Sequence, residues 1–475
     1  MFTLRLNLNG KILAARKKTE NFFYGPFYPV YMALIVLLFW TMDVQLLGFI
    51  FVLLTACFVL LVYDDFAPII PALFILPMSF RNSVEMFSSL QSAIPCIICF
   101  AIFAVALVAH FIIYPIQKWR VDKFLIVCIC LFVLLFLGGL GEKFLNNFSS
   151  GMANLFIAGL VPAAIHFLLL NNLKTNGRVD LRKYFCFCFL TAINLACMQL
   201  LYATAHVKIH GYIEFSFPGF CWANVNHVAN LIIIAVPVCC YLMTSAKKLR
   251  YGIIELLFLY GSIIFTASEG SMAVLLGFTP VIMFFLMTNV YKRNYKPLKI
   301  FYVILITGAV LAIGYLIAFK FDFLTALLSK ASVDNRRSIA YNSAIDRFLE
   351  NPVFGAGYGY GSYKLSLYDN NFFRGYYHST FFHVLACAGI VGLLAYVLYY
   401  VARIKLITSN GTVFGKFVLL SFVIFAVYGI IENSEVNIIL IYMTTMISVC
   451  GITNKNDSDD KPLPLLTQFY KRKFN

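Results

Sequence analysis

The residues best equipped for chemistry fall between Asn224 and Glu435 and are densest from Arg336 to His378. His378 stands at the mouth of an apolar run, HSTFFHVLACAGIVGLL. A neutral imidazole is the commonest side chain for taking a proton from an attacking hydroxyl. Arg336, Arg337 and Arg347 precede it, and guanidinium groups match the oxygens of a phosphate or diphosphate. Between them Gly355, Gly357, Gly359 and Gly361 recur at every second position, interleaved with Tyr358, Tyr360 and followed by Tyr363. Alternating glycines allow close backbone approach, and tyrosines offer flat faces and hydroxyls to sugars. The run is no P-loop, because no Gly-Lys-Ser/Thr follows, and no dinucleotide fingerprint, because no strand precedes it. Asn226 and His227 open an earlier apolar run, and Glu432 and Glu435 flank a tight turn between the last two. A carboxylate near a membrane is costly unless it is paired or functional. Glu432 is therefore a candidate to pair with a loop arginine or to position an acceptor hydroxyl; snorkelling into water is the plainer alternative.

The arginines need an element to carry them. Residues 334–351 read as a helix, with Asp334 able to cap its free N–H groups and Pro352 stopping it. At about 100° per residue, Arg336, Ala340, Ser343 and Arg347 share one stripe, and Tyr341, Ile345, Phe348 and Leu349 the opposite one. Such a helix can lie on the membrane or on the tops of the spans with its arginines directed away from lipid. An ordinary solvated face is the competing reading. His383 is five residues from His378 and points elsewhere. His110 and His166 lie within apolar runs and read as packed residues.

The scaffold follows from composition. The chain has 475 residues, 61% of them hydrophobic and 12% charged. No soluble domain buries that much apolar surface, so the fold class is all-α: a polytopic membrane bundle of about 12–14 transmembrane helices. Long apolar runs, without period-two alternation, argue against a barrel. The first run reads as a true span and not as a cleavable signal. Spans are expected near 28–43, 45–63, 66–80, 91–115, 123–141, 153–171, 184–205, 228–246, 251–267, 270–290, 300–319, 379–402, 416–432 and 436–453, with twelve crossings if two of the first three are re-entrant. The cysteines nearly all sit inside these runs and read as small hydrophobes, so neither metal nor disulfide is expected.

Basic residues alternate between the connecting intervals. Seven alternate intervals hold 27 of the 37 Lys and Arg. The positive-inside rule then makes both termini cytoplasmic. The formal charge of +16 is mostly this topology signal, and nothing in the chain points to nucleic acid. The expected organisation is a cytoplasmic segment 1–27, transmembrane helices 28–319, an extracytoplasmic catalytic loop 320–378, transmembrane helices 379–453 and a cytoplasmic tail 454–475. The outer loop keeps Lys320, Lys330, Arg336, Arg337, Arg347, Lys364 and Arg374, against the bias, either because long loops tolerate charge or because an anion is bound there.

The pattern Arg337-x3-Tyr341-x2-Ala344-x7-Pro352-x2-Gly355-x-Gly357-x-Gly359, followed by His378 and Gly389-x2-Gly392, resembles the signature of the O-antigen ligase and polymerase superfamily. Asn226-x2-Ala229 and the Ser268-x-Gly270 turn resemble its upstream motifs. The resemblance implies a membrane glycosyltransferase of the bacterial cytoplasmic membrane, acting in cell-envelope polysaccharide biosynthesis with its site on the outer face. Its implied donor is an undecaprenyl-diphosphate-linked glycan and its acceptor a polysaccharide or lipid, with no nucleotide, metal or other cofactor. A flippase and a chain-length regulator are the partners it suggests. On this view His378 is the catalytic base, and Arg337, Arg336 and Arg347 remain open candidates for the diphosphate. Gly355, Gly357, Gly359, Tyr358, Asn226, Ser268 and Glu432 are candidates to position substrate. Two departures stand out: Ser268-Glu269-Gly270 replaces the usual Ser-Arg-Gly, and His378-Ser379 the common His-Asn. They lean the reading toward a polymerase or general surface-polysaccharide enzyme. A transporter of lipid-linked glycan and a non-catalytic envelope scaffold are the readings of other classes.

Overall fold

The computed structural model describes residues 16–79, 90–116, 118–138, 156–174, 179–209, 225–245, 249–290 save 267, 335–357, 362–364, 372–374, 377–409, 411–432, 439–453 and isolated positions from 300 to 307. The expected span 300–319, Gly359, Tyr358 and Glu435 thus lie outside the described residues, as do the side chains of Arg336, Arg337 and Glu269.

The protein is a multi-pass bundle of apolar helices. A short helix, Arg16–Phe23, bends by 75° into α1 (Phe27–Thr41), which turns back into α2 (Gln45–Val62). Then come α3 (Leu90–Ile113), α4 (Lys123–Gly138), α5 (Val161–Asn172), α6 (Leu181–Ile209), α7 (Val225–Ser245), α8 (Leu249–Phe265) and α9 (Glu269–Val290). The helix expected at 334–351 is α10 (Asn335–Glu350). A two-stranded antiparallel hairpin follows, β1 (Ser362–Lys364) with β2 (Phe372–Arg374), Tyr363 facing Phe373 in register. The last helices among the described residues are α11 (Thr380–Thr408), α12 (Val413–Ile431) and α13 (Ile439–Ile452).

Among the described residues seven helices are long and apolar enough to cross a membrane, or eight if the bent pair counts as one. The expectation of about 12–14 covers more of the chain than this count, since most of the run 300–319 lies outside the described residues, and several other apolar runs form shorter helices, Ala67–Ser79 and Ile439–Ile452 among them. The run expected as a span at 66–80 is broken by Pro68, Pro71 and Pro77 into 3-10, α and 3-10 turns. Proline removes a backbone donor and clashes with the preceding turn, and three of them in ten residues keep the run from forming one regular α-helix. The broken segment is still fully packed, with Ile70, Phe74, Ile75 and Met78 buried. Elsewhere apolar side chains face outward, as Val105, Val108 and Ile112 of α3 and Leu394, Val397 and Val401 of α11 do. Polar groups such as Gln199, Asn230, Ser271 and Thr444 turn inward. This is the distribution a lipid solvent requires.

At the end of the bundle away from His378, His166 links three elements. Its Nδ1 lies 2.8 Å from Ser448 Oγ of α13, and its Nε2 lies 2.9 Å from Asp122 Oδ2 at the start of α4. Burial alone would raise the Asp122 carboxyl, but His166 and the Leu125 N–H outweigh it and hold it below the usual carboxylate range. A carboxyl lowered on folding adds stability above its unfolded value and loses it as pH falls through the folded one. His166→Ala removes one partner from each, leaving Asp122 with the Leu125 N–H and Ser448 with the Thr444 carbonyl. It is expected to lower the neutral-pH stability of the detergent-solubilised protein by about 1–3 kcal/mol, read as an earlier thermal transition. The variant's deficit should shrink at acid pH.

Candidate functional site

The site is assembled by a break in α11. In an unbroken helix Ile390 N–H would donate to Ala386 and Val391 N–H to Cys387. Gly389 instead takes φ 60° and ψ −157° and interrupts the helix. The loop that follows α10 fills the gap with its own backbone. Ala356 N–H donates to Ala386 O at 2.8 Å and Gly357 N–H to Cys387 O at 2.9 Å. Ile390 N–H donates to Pro352 O at 3.0 Å and Val391 N–H to Val353 O at 3.3 Å. All four backbone groups of these two helical hydrogen bonds are thus paired with the loop instead, as dry surroundings require.

The contact leaves no room for side chains. A Cβ on Gly389 would stand 2.5 Å from Val353 O and 2.7 Å from Gly355 N. One on Gly355, itself at φ 71°, would overlap Ala388 N and the Cys387 carbonyl carbon. The glycines of Pro352-x2-Gly355-x-Gly357 and Gly389 are thus two halves of one backbone interlock, a packing duty that their spacing in sequence does not reveal.

The break also sets the height of His378. α11 and α12 run antiparallel from the short turn Ser409–Thr412. The 19 residues of α12 rise about 28 Å, which brings Ile431 level with roughly Gly389. Had α11 continued straight, His378 would stand about 17 Å farther out. Because the helix breaks, its first segment carries His378 back to the end of α12.

There His378 Nδ1 lies 3.2 Å from Glu432 Oε1. The Glu432 side chain is 6% exposed and the His378 side chain 34%. Asn226, at the start of α7, donates from Nδ2 to Glu432 Oε2 at 3.4 Å, and the Tyr428 hydroxyl donates to the Asn226 carbonyl at 3.5 Å. Each carboxylate oxygen of Glu432 therefore has a donor, as a nearly buried carboxylate requires. With Nδ1–H donating to Glu432, Nε2 of His378 is left as the basic atom. Tyr341 of α10 donates its hydroxyl to the His378 carbonyl at 3.2 Å.

The upstream turn meets the same place. Ser268 is buried and donates to Ser271 Oγ at 2.9 Å. Glu269 is the first residue of α9. Gly270 abuts α12, where a Cβ would stand 2.9 Å from Ile431 Cδ1 with the Tyr428 ring beside it. Ser268, Asn226, Glu432 and His378 thus come from the mouths of α9, α7, α12 and α11, which converge at one end of the bundle.

α10 packs on α11 with Ala340 and Ala344 fully buried. Ile345 and Leu349 are the exposed face. By spacing, Arg336 and Arg337 precede Ala340 by about one helical turn and Arg347 follows Ala344 by one, so the register alone does not separate the three. Arg347 is engaged within its own helix, its Nη1 2.7 Å from Glu350 Oε2. His383 is buried, 3.9 Å from Cys387 Sγ, and stands apart from the His378–Glu432 pair. Among the described residues no group of three or more His, Cys, Asp or Glu could hold a metal ion.

Two contributors were invisible as site residues in the sequence. The hydroxyl of Tyr428 has no local signal. Tyr341 appears there only as a position of a spacing pattern and of a helix stripe.

Residues 255–397 match the family model described as O-Antigen ligase. The match runs from α8 to α11 and contains α10, the backbone interlock and His378. Asn226 and Glu432 lie outside it and join the site only in three dimensions. No curated protein matches the chain.

Proposed function

We propose that the O-antigen ligase domain of this membrane protein transfers a glycan from a polyprenyl diphosphate, undecaprenyl diphosphate in a bacterial membrane, to a sugar hydroxyl. The observation that carries this reading is the His378–Glu432 pair, 3.2 Å apart with the carboxylate buried. A buried carboxylate that accepts the Nδ1 proton fixes the tautomer and stabilises the imidazolium that forms when Nε2 takes a proton.

In the step proposed, the acceptor hydroxyl attacks the anomeric carbon of the donor sugar. The new glycosidic C–O bond forms as the bond from that carbon to phosphate oxygen breaks. The diphosphate leaves with the bonding electron pair, and the hydroxyl proton passes to His378 Nε2. Negative charge grows on the leaving diphosphate, and Arg337, one helical turn before Tyr341, is our choice to meet it. Arg347 is the weaker choice because Glu350 already neutralises it. A carboxylate at position 269 would repel such a charge, so we assign the diphosphate to the arginines of α10.

The reading also gives an orientation. His378 and the interval 320–378 face outward and both termini inward, in keeping with the distribution of Lys and Arg. No metal is assigned to the chemistry. Polymerase and ligase share the step above and differ in the acceptor.

The test is a reconstitution of purified protein with a lipid-linked oligosaccharide. New glycosidic bonds with equimolar release of lipid diphosphate, unchanged by a chelator, are expected. Translocation across the bilayer without bond formation would instead make it a transporter, and neither outcome would leave a scaffold. A product ladder rising by repeat units identifies a polymerase; a single transfer to a fixed acceptor identifies a ligase.

A further inference from the structure

His378 has φ 49°, a left-handed conformation uncommon outside glycine that histidine enters more readily than most residues. The chain returns at once to extended backbone at Ser379, φ −159°, whose hydroxyl caps α11 by accepting from Phe382 N–H. This sharp turn sends the imidazole to Glu432 and leaves the His378 carbonyl to the Tyr341 hydroxyl at 3.2 Å. The Tyr341 ring is fixed in turn, stacked on Phe382 with centroids 4.6 Å apart and planes at 22°. Backbone in a sparsely populated region persists only where its surroundings hold it, and Tyr341 is the group that reaches this peptide from α10.

We propose that Tyr341 is a positioning residue for the transfer: its hydroxyl holds the His378 peptide in the left-handed conformation that delivers the imidazole to Glu432. Tyr341 lies one helical turn after Arg337, on the same face of α10. A diphosphate held by the first turn of α10 therefore also holds the helix that seats the base, so donor capture and base placement are linked through a single turn. The proposal rests on the reading of His378 as the base and Arg337 as the diphosphate ligand.

Tyr341→Phe keeps the ring stack and removes only the hydroxyl. The assay is glycan transfer from lipid-linked oligosaccharide, with rates expressed per folded, monodisperse protein. The expected result is a kcat about tenfold lower with the donor KM within about twofold, the pattern of a group whose effect is felt mainly in the transition state. In a His378→Ala background the same substitution is expected to cost nothing further, because there is no imidazole left to place. Wild-type turnover by Tyr341→Phe alongside a severely impaired His378→Ala overturns the positioning role and leaves the base intact. A Tyr341→Phe loss repeated in full in the His378→Ala background overturns it too, since the hydroxyl would then serve the fold alone. Full turnover by His378→Ala overturns the underlying reading, whatever Tyr341→Phe does.

Discussion

His378→Ala is expected to lower glycan transfer per folded protein by about 10²–10⁴, the usual contribution of a positioned general base. The fold should survive. The side chain is a third exposed, and its loss opens no sealed cavity. The donor KM should change little, because the imidazole acts on the acceptor proton and not on the diphosphate. Glu432→Gln should fall between this variant and wild type. The amide can still accept from His378 Nδ1–H, but it no longer supplies the negative charge that stabilises the imidazolium formed during transfer. If His378→Ala turned over at the wild-type rate while remaining folded, the base assignment would be wrong. Surface-glycan yield in cells gives the first readout, and turnover of reconstituted protein the decisive one.

Gly389→Ala is expected to remove the protein from the membrane fraction, or to leave it unstable in mild detergent. Two effects add. At φ 60° and ψ −157° the backbone lies in a region almost confined to glycine, which costs an alanine about 1–3 kcal/mol. The new methyl would also stand 2.5 Å from Val353 O and 2.7 Å from Gly355 N, backbone atoms of a loop that is itself hydrogen-bonded to the helix on both sides of the break. To relieve the overlap, the loop would have to withdraw and leave the Ala386 and Cys387 carbonyls and the Ile390 and Val391 amides without partners. In dry surroundings that total is on the order of 4 kcal/mol or more. Gly355→Ala meets the same helix from the other side and should behave alike. Because either change damages the interlock as a whole, the double variant should be little worse than the single ones. Normal yield and thermal stability of Gly389→Ala would show that the interlock is dispensable.

Much of the scaffold can be read locally. Apolar runs too long for a soluble core demand a membrane solvent, and in that solvent each backbone amide must find its partner within a helix. Helix α10 was legible from Pro352 and its periodicity to within a residue at either end. Where such local readings failed, the cause was competition between nearby groups. Hydropathy does not register three prolines, so the run at 66–80 looked like a span and folds as broken turns. An amphipathic stripe shows that α10 has two faces. Which one docks depends on a partner: the small Ala340 and Ala344 let α11 approach closely, and Ile345 and Leu349 are turned outward.

For the site the division is clearer. Residue type marked His378 as a base and Glu432 as a costly carboxylate, because imidazole and carboxylate chemistry is intrinsic to the side chain. Sequence could not pair them. They lie 54 residues apart, and their meeting depends on how far α11 rises before Gly389 interrupts it. Sequence left three arginines open for the diphosphate, and the side chains of Arg336 and Arg337 lie outside the described residues. Nor could it tell that the alternating glycines begin an interlock, because a glycine's want of a side chain shows only against the backbone that occupies its place. Chain-local properties such as burial demand, helix period and titratable chemistry were therefore written in the sequence. The contacts that turn them into a site, from Asn226 to Glu432 to His378 to Tyr341, were decided by packing between distant segments.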